Sequence, residues 1–534
     1  MARITTAART GGRSTGVVLP TWDGHHGLQT IAVCFNEEAD LTAQHAQTST
    51  IPTSTPGAVG EPWTLDEDRA LPADATVRPI AREIYSATKR LPIVSMHGHV
   101  EAQVLDEDTP FGDPAELFVI PDHYLVRMIV SQGASVDQMG VAPTDPASDV
   151  VPNPDHRDIW RRFCASWKLY RGTPTRYWME HELVEVFGIT QRPSAETADA
   201  IYDQLDAALR SPAFRPRALF ERFTIETLAT TDPAWSGLEH HASLAAQGWG
   251  DKVVPTFRPD PLLHLDGPTW AEDITRLSDA AGIDVTGYAS YLDALRQRRQ
   301  AFVAAGARAT DHGHFLADTT PLSDAEANRI FDLALSGAQV SAAESQAFGG
   351  HMLFQMAAMS AEDGLVMQLH PGVLRNHDRS VLDTFGADKG YDIPVQVEYA
   401  RALRPLLEAF GHHPGLRLIV FTIDETVYSR ELAPLAGVYP AMKLGAPWWF
   451  LDSPDGMRRF RDAATETAGF YNTTGFVDDT RAFASIPARH DLSRRIDAGY
   501  LARLVAEHRL DLDEAVETAV DLAYTLPREA YARR

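Results

Sequence analysis

Short apolar runs that recur between helical stretches most constrain how this chain can fold. From about Trp63 onward, runs rich in β-branched residues alternate with segments of helical periodicity, a pattern typical of repeated βα units. Eight of these runs are predicted to be strands: 92–96, 224–229, 253–257, 306–310, 365–369, 418–422, 438–443 and 473–477. We therefore predict an α/β fold of the (β/α)8 TIM-barrel type.

Seven of the eight predicted strands are followed at once by polar or ionisable residues. In a (β/α)8 barrel the C-terminal ends of the strands form the catalytic face. The residues that follow the strands are therefore candidates for the site: His97 and His99, Thr231 and Asp232, Arg258 and Asp260, Asp311 and His312, His370, Asp424 and Glu425, and Asp479 and Arg481.

The spacing of the predicted strands also suggests how the chain is divided. The first two are too far apart for one βα unit, so residues from about 105 to 220 are predicted to form an inserted, mainly helical subdomain within a barrel that spans 63–534. Apolar residues at helical spacing from 489 to 526 predict extra C-terminal helices packed on the barrel. Residues 1–62 are rich in Thr, Ser, Gly and Ala and are predicted to be a disordered extension, with a transit peptide as the alternative.

Composition excludes several classes of function. The chain of 534 residues carries 73 acidic against 48 basic side chains, a formal charge of −25. Nucleic acids and anionic membranes need a basic surface, so neither is expected as a partner. No run approaches the roughly 18 apolar residues of a membrane span. Only Cys34 and Cys164 are present, too few for a disulfide framework, which predicts a reducing, cytoplasmic location.

The sequence His97-Gly98-His99 closes the first predicted strand. Alternate residues of a strand share a face, so the two imidazoles are expected to lie side by side. Neighbouring neutral histidines at a strand end commonly hold a catalytic divalent metal. In a chain with 20 histidines, a polar loop pair is an equally good interpretation of this motif taken alone.

Several segments of the chain form a set of motifs. They are LPIVSMHGHV (91–100), DHYLVRM (122–128), GTPTRYWMEHEL with FGI (172–189), ATTDP (229–233), VVPTFRPD (253–260), MQLHPGVLRNHD (367–378), KLGAPWWFLD (443–452), and VDDTRAF with RHDLSRR (477–495). His-x-His alone is weak evidence, whereas PTFRPD, QLH with LRN, GAPWWF and DDTR in this order are jointly specific. Together these segments resemble the uronate isomerases of the amidohydrolase superfamily, also called glucuronate isomerases, over about residues 65–527.

The resemblance implies an aldose–ketose isomerase that interconverts D-glucuronate and D-fructuronate, or D-galacturonate and D-tagaturonate. By position, His97 and His99 match the metal-ligand pair, Asp479 matches the aspartate that contacts the metal and acts as acid and base, and Arg481 matches the arginine that follows. One divalent metal ion is implied, with zinc expected and manganese, iron or cobalt compatible with the same ligands. The expected partner is a small-molecule uronate, and assembly into a homo-oligomer stays open.

The chemistry of such an isomerase suits these residues. Moving a carbonyl from C1 to C2 requires removing the C2 proton, holding a cis-enediolate and returning a proton to C1. One carboxylate such as Asp479 can do both, while a cation such as Arg481 stabilises the enediolate charge. The i, i+2 spacing puts both side chains on one side of an extended strand end. Taken alone, the pair would read as an ordinary Asp and Arg in an exposed turn.

Further residues are candidates for binding substrate. Arg258 and Arg375 each follow a predicted strand and suit a carboxylate, since the guanidinium fork matches two oxygens. The alternative is that they form structural ion pairs with Asp260 and Asp378, which stand close to them in sequence.

Five side chains are expected near the sugar itself. His123 and Tyr124 begin the insertion, where they can donate to sugar hydroxyls or shuttle a proton, or serve only as a cap and packing element. His312 and His370 end the fourth and fifth predicted strands as metal ligands, hydroxyl donors or structural histidines. Trp448, in the aromatic triplet after the seventh strand, is expected to contact the apolar face of a sugar, the alternative being a place in the core.

Two other functions are compatible with parts of this sequence. A mononuclear metal-dependent hydrolase of the same superfamily, acting on a lactone or amide, is the nearer alternative. The lysine and histidine that usually hold a second metal in such enzymes have no counterpart, because Asp311-His312 and Asp424-Glu425 stand there. A non-catalytic barrel that binds sugar acids is the other alternative, and it predicts broken acid and base residues, whereas Asp479 and Arg481 are intact.

Overall fold

The computed structural model describes residues 62–533 of the chain. The predicted N-terminal extension, residues 1–62, lies outside the described residues apart from Pro62. Among the helices of the described residues, none is both long enough and apolar enough to cross a membrane.

The strands are short and almost all parallel, and most of them are buried. Strands buried on both faces read as continuous apolar runs, which is why the sequence signals them clearly. All pairings are parallel except that of β8 with β9. The strands are β1 Ile93–Ser95, β2 Ile225–Ala229, β3 Asp232–Pro233, β4 Val253–Val254, β5 Thr256–Arg258, β6 Ala309–His312, β7 Val366–Leu369, β8 Val373–Leu374, β9 Ile393–Pro394, β10 Leu418–Val420 and β11 Met442–Leu444.

Seven of the eight predicted strands overlap observed ones, although the prediction at 438–443 shares only its last two residues with β11. The prediction at 473–477 is wrong, since this segment makes only an isolated parallel bridge between Thr473 and Leu444. Gly475 explains the difference, because its φ of +74° is left-handed and interrupts the extended backbone. The prediction at 306–310 begins too early for a similar reason, since Gly306 has a φ of +102° and β6 starts only after it.

The strands follow one another in barrel order. One sheet runs β1-β2-β4 and the next runs β3-β5-β6-β7-β10-β11. The break between β4 and β5 falls at Pro255, which has no N–H to donate to a neighbouring strand. Since β3 extends the path of β2 and β5 extends that of β4, the two sheets are consecutive parts of one wall.

The segment 472–480 takes the eighth position of the wall. It bonds to β11 at its start and to the residues after β1 at its end, so it joins the last strand to the first. The predicted (β/α)8 TIM-type barrel is therefore confirmed. The backbone hydrogen bonds are Leu444 N to Asn472 O (2.9 Å), Thr474 N to Leu444 O (3.0 Å), Asp479 N to His97 O (3.1 Å) and His99 N to Thr480 O (2.9 Å).

Helices surround this wall. The segment between β1 and β2 contains α2 to α7, and α18 to α20 follow the eighth segment, as expected for a helical insertion and extra C-terminal helices. The helices are α1 Val77–Thr88, α2 Ala102–Glu107, α3 His123–Val130, α4 His156–Ala165, α5 Pro174–His181, α6 Ala198–Leu209, α7 Pro216–Arg222, α8 Glu239–Ala246, α9 Asp260–Leu263, α10 Trp270–Ala281, α11 Tyr288–Ala304, α12 Asp324–Leu335, α13 Ala342–Asp363, α14 Arg379–Phe385, α15 Arg404–Phe410, α16 Ala433–Ala436, α17 Pro454–Ala468, α18 Ile486–Ala506, α19 Leu512–Val520 and α20 Leu526–Ala530.

The barrel interior is a packed core rather than a channel. One buried cluster takes a residue from each of six strands, which requires it to lie inside the wall. These residues are Val94, Ala229, Val254, Ala309, Val366 and Ile419. The open space for a ligand is therefore confined to the strand ends.

A buried arginine fastens the helical insertion to the barrel. Arg489 on α18 bonds through Nη1 to Asp452 Oδ2 at 2.8 Å, and its guanidinium lies 3.7 Å from the centre of the Trp178 ring on α5. Tyr124 of α3 packs edge-on against the same indole, at 5.7 Å between ring centres. This contact brings α3 and its first two residues over the C-terminal ends of the strands.

Candidate active site

A cavity of about 200 Å³ opens at the C-terminal ends of the strands. Its wall combines residues that follow the strands with the start of α3. Every site residue predicted from the sequence lines this cavity except His312. The predicted residues that line it are His97, His99, His123, Tyr124, Arg258, His370, Arg375, Trp448, Asp479 and Arg481.

Three of these residues form a set able to hold a divalent metal ion. His97, His99 and Asp479 each offer one ligand atom, and these atoms lie within 4.8 Å of one another. Asp479 Oδ1 is 3.5 Å from His97 Nε2 and 3.1 Å from His99 Nε2. His97 Nε2 is buried and has no hydrogen-bond partner. Two imidazole nitrogens and a carboxylate oxygen are a suitable donor set for a catalytic metal, so the residues fit the ion implied by the sequence.

The His97 ring is held in place by polar and aromatic neighbours. Its Nδ1 lies 3.2 Å from Gln368 Oε1 and 3.7 Å from Asp311 Oδ1. Tyr531 donates a hydrogen bond to the same Gln368 oxygen at 2.8 Å, and Trp448 packs edge-on against the ring at 5.0 Å. Acceptors on the Nδ1 side favour the tautomer with hydrogen on Nδ1, which leaves Nε2 free to bind a metal.

Asp311 connects this histidine to two other groups of the cavity. The residue is fully buried, with His370 Nε2 at 2.8 Å from Oδ1 and Arg258 Nη1 at 3.2 Å from Oδ2. Burial opposes its charge, but His370, His97 and Arg258 hold the pKa of this carboxyl well below its usual range. Arg258 is fixed further by Asp260, with Nε 3.1 Å from Oδ2, as the sequence suggested.

Two more arginines stand at the mouth of the cavity and share the carboxylate of Asp388. Arg375 Nη1 lies 3.2 Å from Asp392 and 3.6 Å from Asp388, while Arg481 Nη2 lies 3.5 Å from the other oxygen of Asp388. The expected pairing of Arg375 with Asp378 is wrong, because Asp378 instead caps the start of α14. Burial raises the pKa of Asp388, but the positive charges of Arg481 and Arg375 outweigh it and lower that pKa.

His123 and Tyr124 lie over the cavity as neutral groups. Asp122 caps α3 by accepting from the backbone N–H of Tyr124 at 2.8 Å, which fixes the start of the helix. The two rings stack at 4.5 Å. Burial lowers the pKa of His123 to about 3, with the charge of Arg481 acting in the same direction, and burial raises the pKa of Tyr124. At neutral pH the tyrosine hydroxyl is therefore a hydrogen-bond donor.

Comparison with known proteins identifies the family. A sequence profile described as glucuronate isomerase matches residues 75–531 of the chain. The chain belongs to the glucuronate isomerase family.

Members of the family align over nearly their whole length. Uronate isomerases of Phenylobacterium zucineum and Rhizobium meliloti are 54% and 52% identical, over 88% of this chain and 97% and 99% of theirs. The crystal structure of glucuronate isomerase from Caulobacter crescentus, at 50% identity, superposes with a TM-score of 0.85 over 88% of this chain and 97% of that one. Uronate isomerase from Thermotoga maritima, at 27% identity, gives 0.82 over 88% and 100%. The resemblance seen in the sequence is confirmed.

His312 does not line the cavity at the strand ends. Successive residues of a strand point to opposite sides, so Asp311 faces the metal ligands and His312 faces away. Its Nε2 lies 2.9 Å from Thr310 Oγ1, and the ring is fully buried. Burial lowers the pKa of His312 to about 4. His312 is therefore not proposed to contact substrate, which is the role expected for it from the sequence.

Trp448 lines the cavity but lies mostly beneath it. It is 3% exposed and packs against His97, His370 and Phe421, with ring centres 5.0, 4.8 and 4.7 Å away. The indole thus supports the metal ligands and reaches the cavity with one edge.

Several residues of the cavity wall were not among the predicted site residues. Trp449 and Phe450 stand in the GAPWWF motif and Arg489 opens the matching stretch RHDLSRR, so those motifs were the signal for them. Asp388 and Asp392 had no comparable signal, because their segment belongs to none of the matching stretches and ends no predicted strand.

Gly445 permits the aromatic packing under the metal ligands. A Cβ on this residue would lie 2.3 Å from the Phe421 ring, which itself packs on Trp448. We expect Gly445→Ala to lower the free energy of unfolding by about 1 to 3 kcal/mol, measured by urea denaturation, because both rings must shift. Gly287→Ala is the control, since its Cβ would meet only Asp332 Oδ1 at an ordinary 3.6 Å. Equal stability of the two variants would contradict the prediction.

Proposed function

We propose that the protein interconverts D-glucuronate and D-fructuronate, or D-galacturonate and D-tagaturonate, by proton transfer through a cis-enediolate. The observation that carries the proposal is the position of Asp479, which contacts both histidines and lines one cavity with five arginines. Uronate isomerisation is also the activity named for relatives at 50 to 54% identity. The site thus combines a base, a metal-ligand set and cations for an anionic substrate.

Asp479 is the proposed base. Burial raises the pKa of its carboxyl, but the hydrogen bond from His99 and the proximity of His97 outweigh burial. The pKa is therefore lowered overall, and the group is ionised at neutral pH. The carboxylate takes the proton from C2 and, after its proton exchanges with solvent, gives a proton to C1 on the same face of the substrate, since the two carbons are neighbours. One positioned carboxylate therefore suffices for both transfers.

Charge that develops on the enediolate oxygens requires stabilisation. A divalent metal held by His97, His99 and Asp479, for which zinc is proposed, supplies positive charge beside these oxygens when bound. Arg481 adds a fixed cation at the same face of the cavity. Tyr124 donates a hydrogen bond to a substrate oxygen, and neutral His123 stacked on it accepts or passes a proton among the hydroxyls.

Two arginines are proposed to bind the substrate carboxylate. Arg258 already faces Asp260 and Asp311, whereas Arg375 is the more accessible of the two, with 36% of its side chain exposed against 23%. Arg375 is therefore assigned the direct contact, and Arg258 the supporting charge behind it.

Arg375→Lys is expected to raise KM for the uronate about tenfold or more, with a smaller change in kcat, because one charged hydrogen bond of a bidentate pair is lost. Steady-state kinetics on the purified protein measures both constants. Arg379→Lys, on an exposed arginine of α14 that pairs with Asp383, is the matched control and should leave KM unchanged. A fall in kcat at constant KM would assign Arg375 a different role.

The reaction itself is tested with both D-glucuronate and D-galacturonate in deuterated water. We expect the ketose to form from at least one of them and to carry solvent deuterium at the transferred position. Hydrolysis of lactones without turnover of either uronate would support the mononuclear hydrolase instead. Tight binding without any turnover would support a non-catalytic sugar-acid barrel.

The proposed compartment is the cytoplasm. The chain has only two cysteines, and Cys164 is a buried free thiol. A protein that keeps a free thiol in its core and builds no disulfide framework suits a reducing environment.

A further inference from the structure

A second group of possible metal ligands lies behind the first, on the other side of Asp311. Asp260, His312 and His314 each offer one ligand atom, and these atoms lie within 4.8 Å of one another. The side chains are buried, with residue exposures of 8%, 0% and 5%. None of the three belongs to the set formed by His97, His99 and Asp479, so this is a separate cluster.

Each residue of the cluster has one buried polar atom without a hydrogen-bond partner. These atoms are Asp260 Oδ1, His312 Nδ1 and His314 Nε2. The second polar atom of Asp260 is occupied, since Oδ2 accepts from Gly313 N at 2.9 Å and faces Arg258 Nε at 3.1 Å. His312 Nε2 is likewise occupied by Thr310 Oγ1.

Three such atoms in one place are costly unless something binds them. An unpaired buried polar group costs on the order of 1 to 3 kcal/mol, and native proteins rarely leave several together. The atoms free in this cluster are two imidazole nitrogens and one carboxylate oxygen, which can all act as electron-pair donors. That is the donor set that borderline divalent metals prefer.

The charge around the cluster also favours a cation. Arg258 contributes one positive charge, and it is shared between the carboxylates of Asp260 and Asp311. Two buried negative charges against one positive charge leave an excess of one negative charge. A cation next to Asp260 Oδ1 balances that excess in a low-dielectric environment.

We propose that Asp260, His312 and His314 bind a second divalent metal ion, of the zinc class. The ion joins the start of α9 to the end of β6 and the loop after it. Through Asp260 it fixes the guanidinium of Arg258, which lines the cavity. The site has a positioning role and needs no contact with the uronate.

The direct test locates the metal in the wild-type protein. Full-length chain is stripped with a chelator, reloaded with Zn²⁺ and crystallised, and anomalous difference maps are calculated from data on both sides of the zinc absorption edge. We expect two peaks per chain, one between His97, His99 and Asp479 and one within the second cluster. An ordered water molecule, or no density, at the second cluster while the first is fully occupied would overturn the proposal.

Metal content of variants gives an independent measurement. Mass spectrometry of metals after reloading with Zn²⁺ is expected to give about two ions per chain for the wild type and one for His314→Gln. His99→Gln should also give one ion, retained at the second cluster, and His412→Gln, at an exposed histidine outside both clusters, should give two. Two ions in folded His314→Gln would place the second metal elsewhere and overturn the proposal. If His314→Gln does not fold, the wild-type maps decide.

Because these measurements count and locate ions without using turnover, their failure is distinguishable from failure of the isomerase proposal. A chain that isomerises uronates with one ion bound overturns only the second site. A chain that binds two ions without isomerising either uronate overturns only the proposed activity.

Discussion

Replacing Asp479 with asparagine is expected to lower kcat by about 10² to 10⁴, the range by which general acid–base groups accelerate reactions, while the chain stays folded. Asparagine keeps the shape of the side chain but cannot take a proton from C2. It also removes a negative charge from the metal-ligand set with His97 and His99. Turnover of the better uronate, followed by ketose formation, measures the effect.

The backbone at this position makes asparagine a fair test of chemistry rather than folding. Asp479 has a φ of +44°, in the left-handed region that Asn tolerates as well as Asp does. Alanine would change both the chemistry and the strain. Circular dichroism and urea denaturation should therefore show little difference between Asp479→Asn and wild type.

Asp424→Asn is the matched control. Asp424 also follows a barrel strand, β10, but it does not line the cavity, and it caps the next turn by accepting from Thr426 N at 3.1 Å. Asparagine is an equally good N-cap, so near wild-type kcat is expected. Similar losses of kcat in both variants would show that any carboxylate at the strand ends has this effect. Wild-type kcat in Asp479→Asn would show that Asp479 does not transfer the proton.

The barrel was predictable because its strands are buried on both faces. Runs such as LVMQL (365–369) and LIVFT (418–422) are mostly apolar, and they overlap β7 and β10. The segment TTGFV (473–477) is less apolar and contains Gly475, whose left-handed backbone leaves only one bridge to β11. Apolar composition indicates that a segment is buried. The backbone conformation of one residue, here the positive φ of Gly475, decides whether the hydrogen bonds between strands continue.

The direction of side chains at strand ends was less predictable. The predicted strand stopped at 310, so Asp311 and His312 both looked like residues at the catalytic rim. In the structure β6 continues to His312, and the alternation of the strand turns Asp311 toward His97 and His312 away from it. Because the predicted strand ended two residues too early, the sequence did not show that only Asp311 of this pair faces His97.

Contacts between distant segments were not predictable at all. Arg375 stands three residues from Asp378 but pairs with Asp392. The short antiparallel pair of β8 and β9 brings Asp392 to it. Strands of two residues leave no periodic pattern in a sequence, so neither the pair nor the contact could be expected.

Asp311→Asn is expected to have the second large effect, on stability as well as turnover. The carboxylate is fully buried and faces Arg258, His370 and His97 at 3.2, 2.8 and 3.7 Å. Losing a hydrogen bond to a buried charged group costs about 1.5 to 3 kcal/mol. Asparagine can still accept a hydrogen bond from His370, but it loses the charged contact with Arg258, which is then held by Asp260 alone.

Urea denaturation measures the loss of stability, and kcat measured in the native baseline reports the displaced His97 and Arg258. Asp273→Asn is the control for burial, since Asp273 is 2% exposed but pairs with Arg276, whose side chain is 53% exposed. Water compensates Arg276 when its partner is neutralised, so a loss of at most about 1 kcal/mol is expected there. Equal losses in the two variants would mean that Asp311 contributes only as a buried polar group. A larger loss for Asp311→Asn, together with reduced turnover, would show that its charge holds the metal-ligand and carboxylate-binding halves of the cavity together.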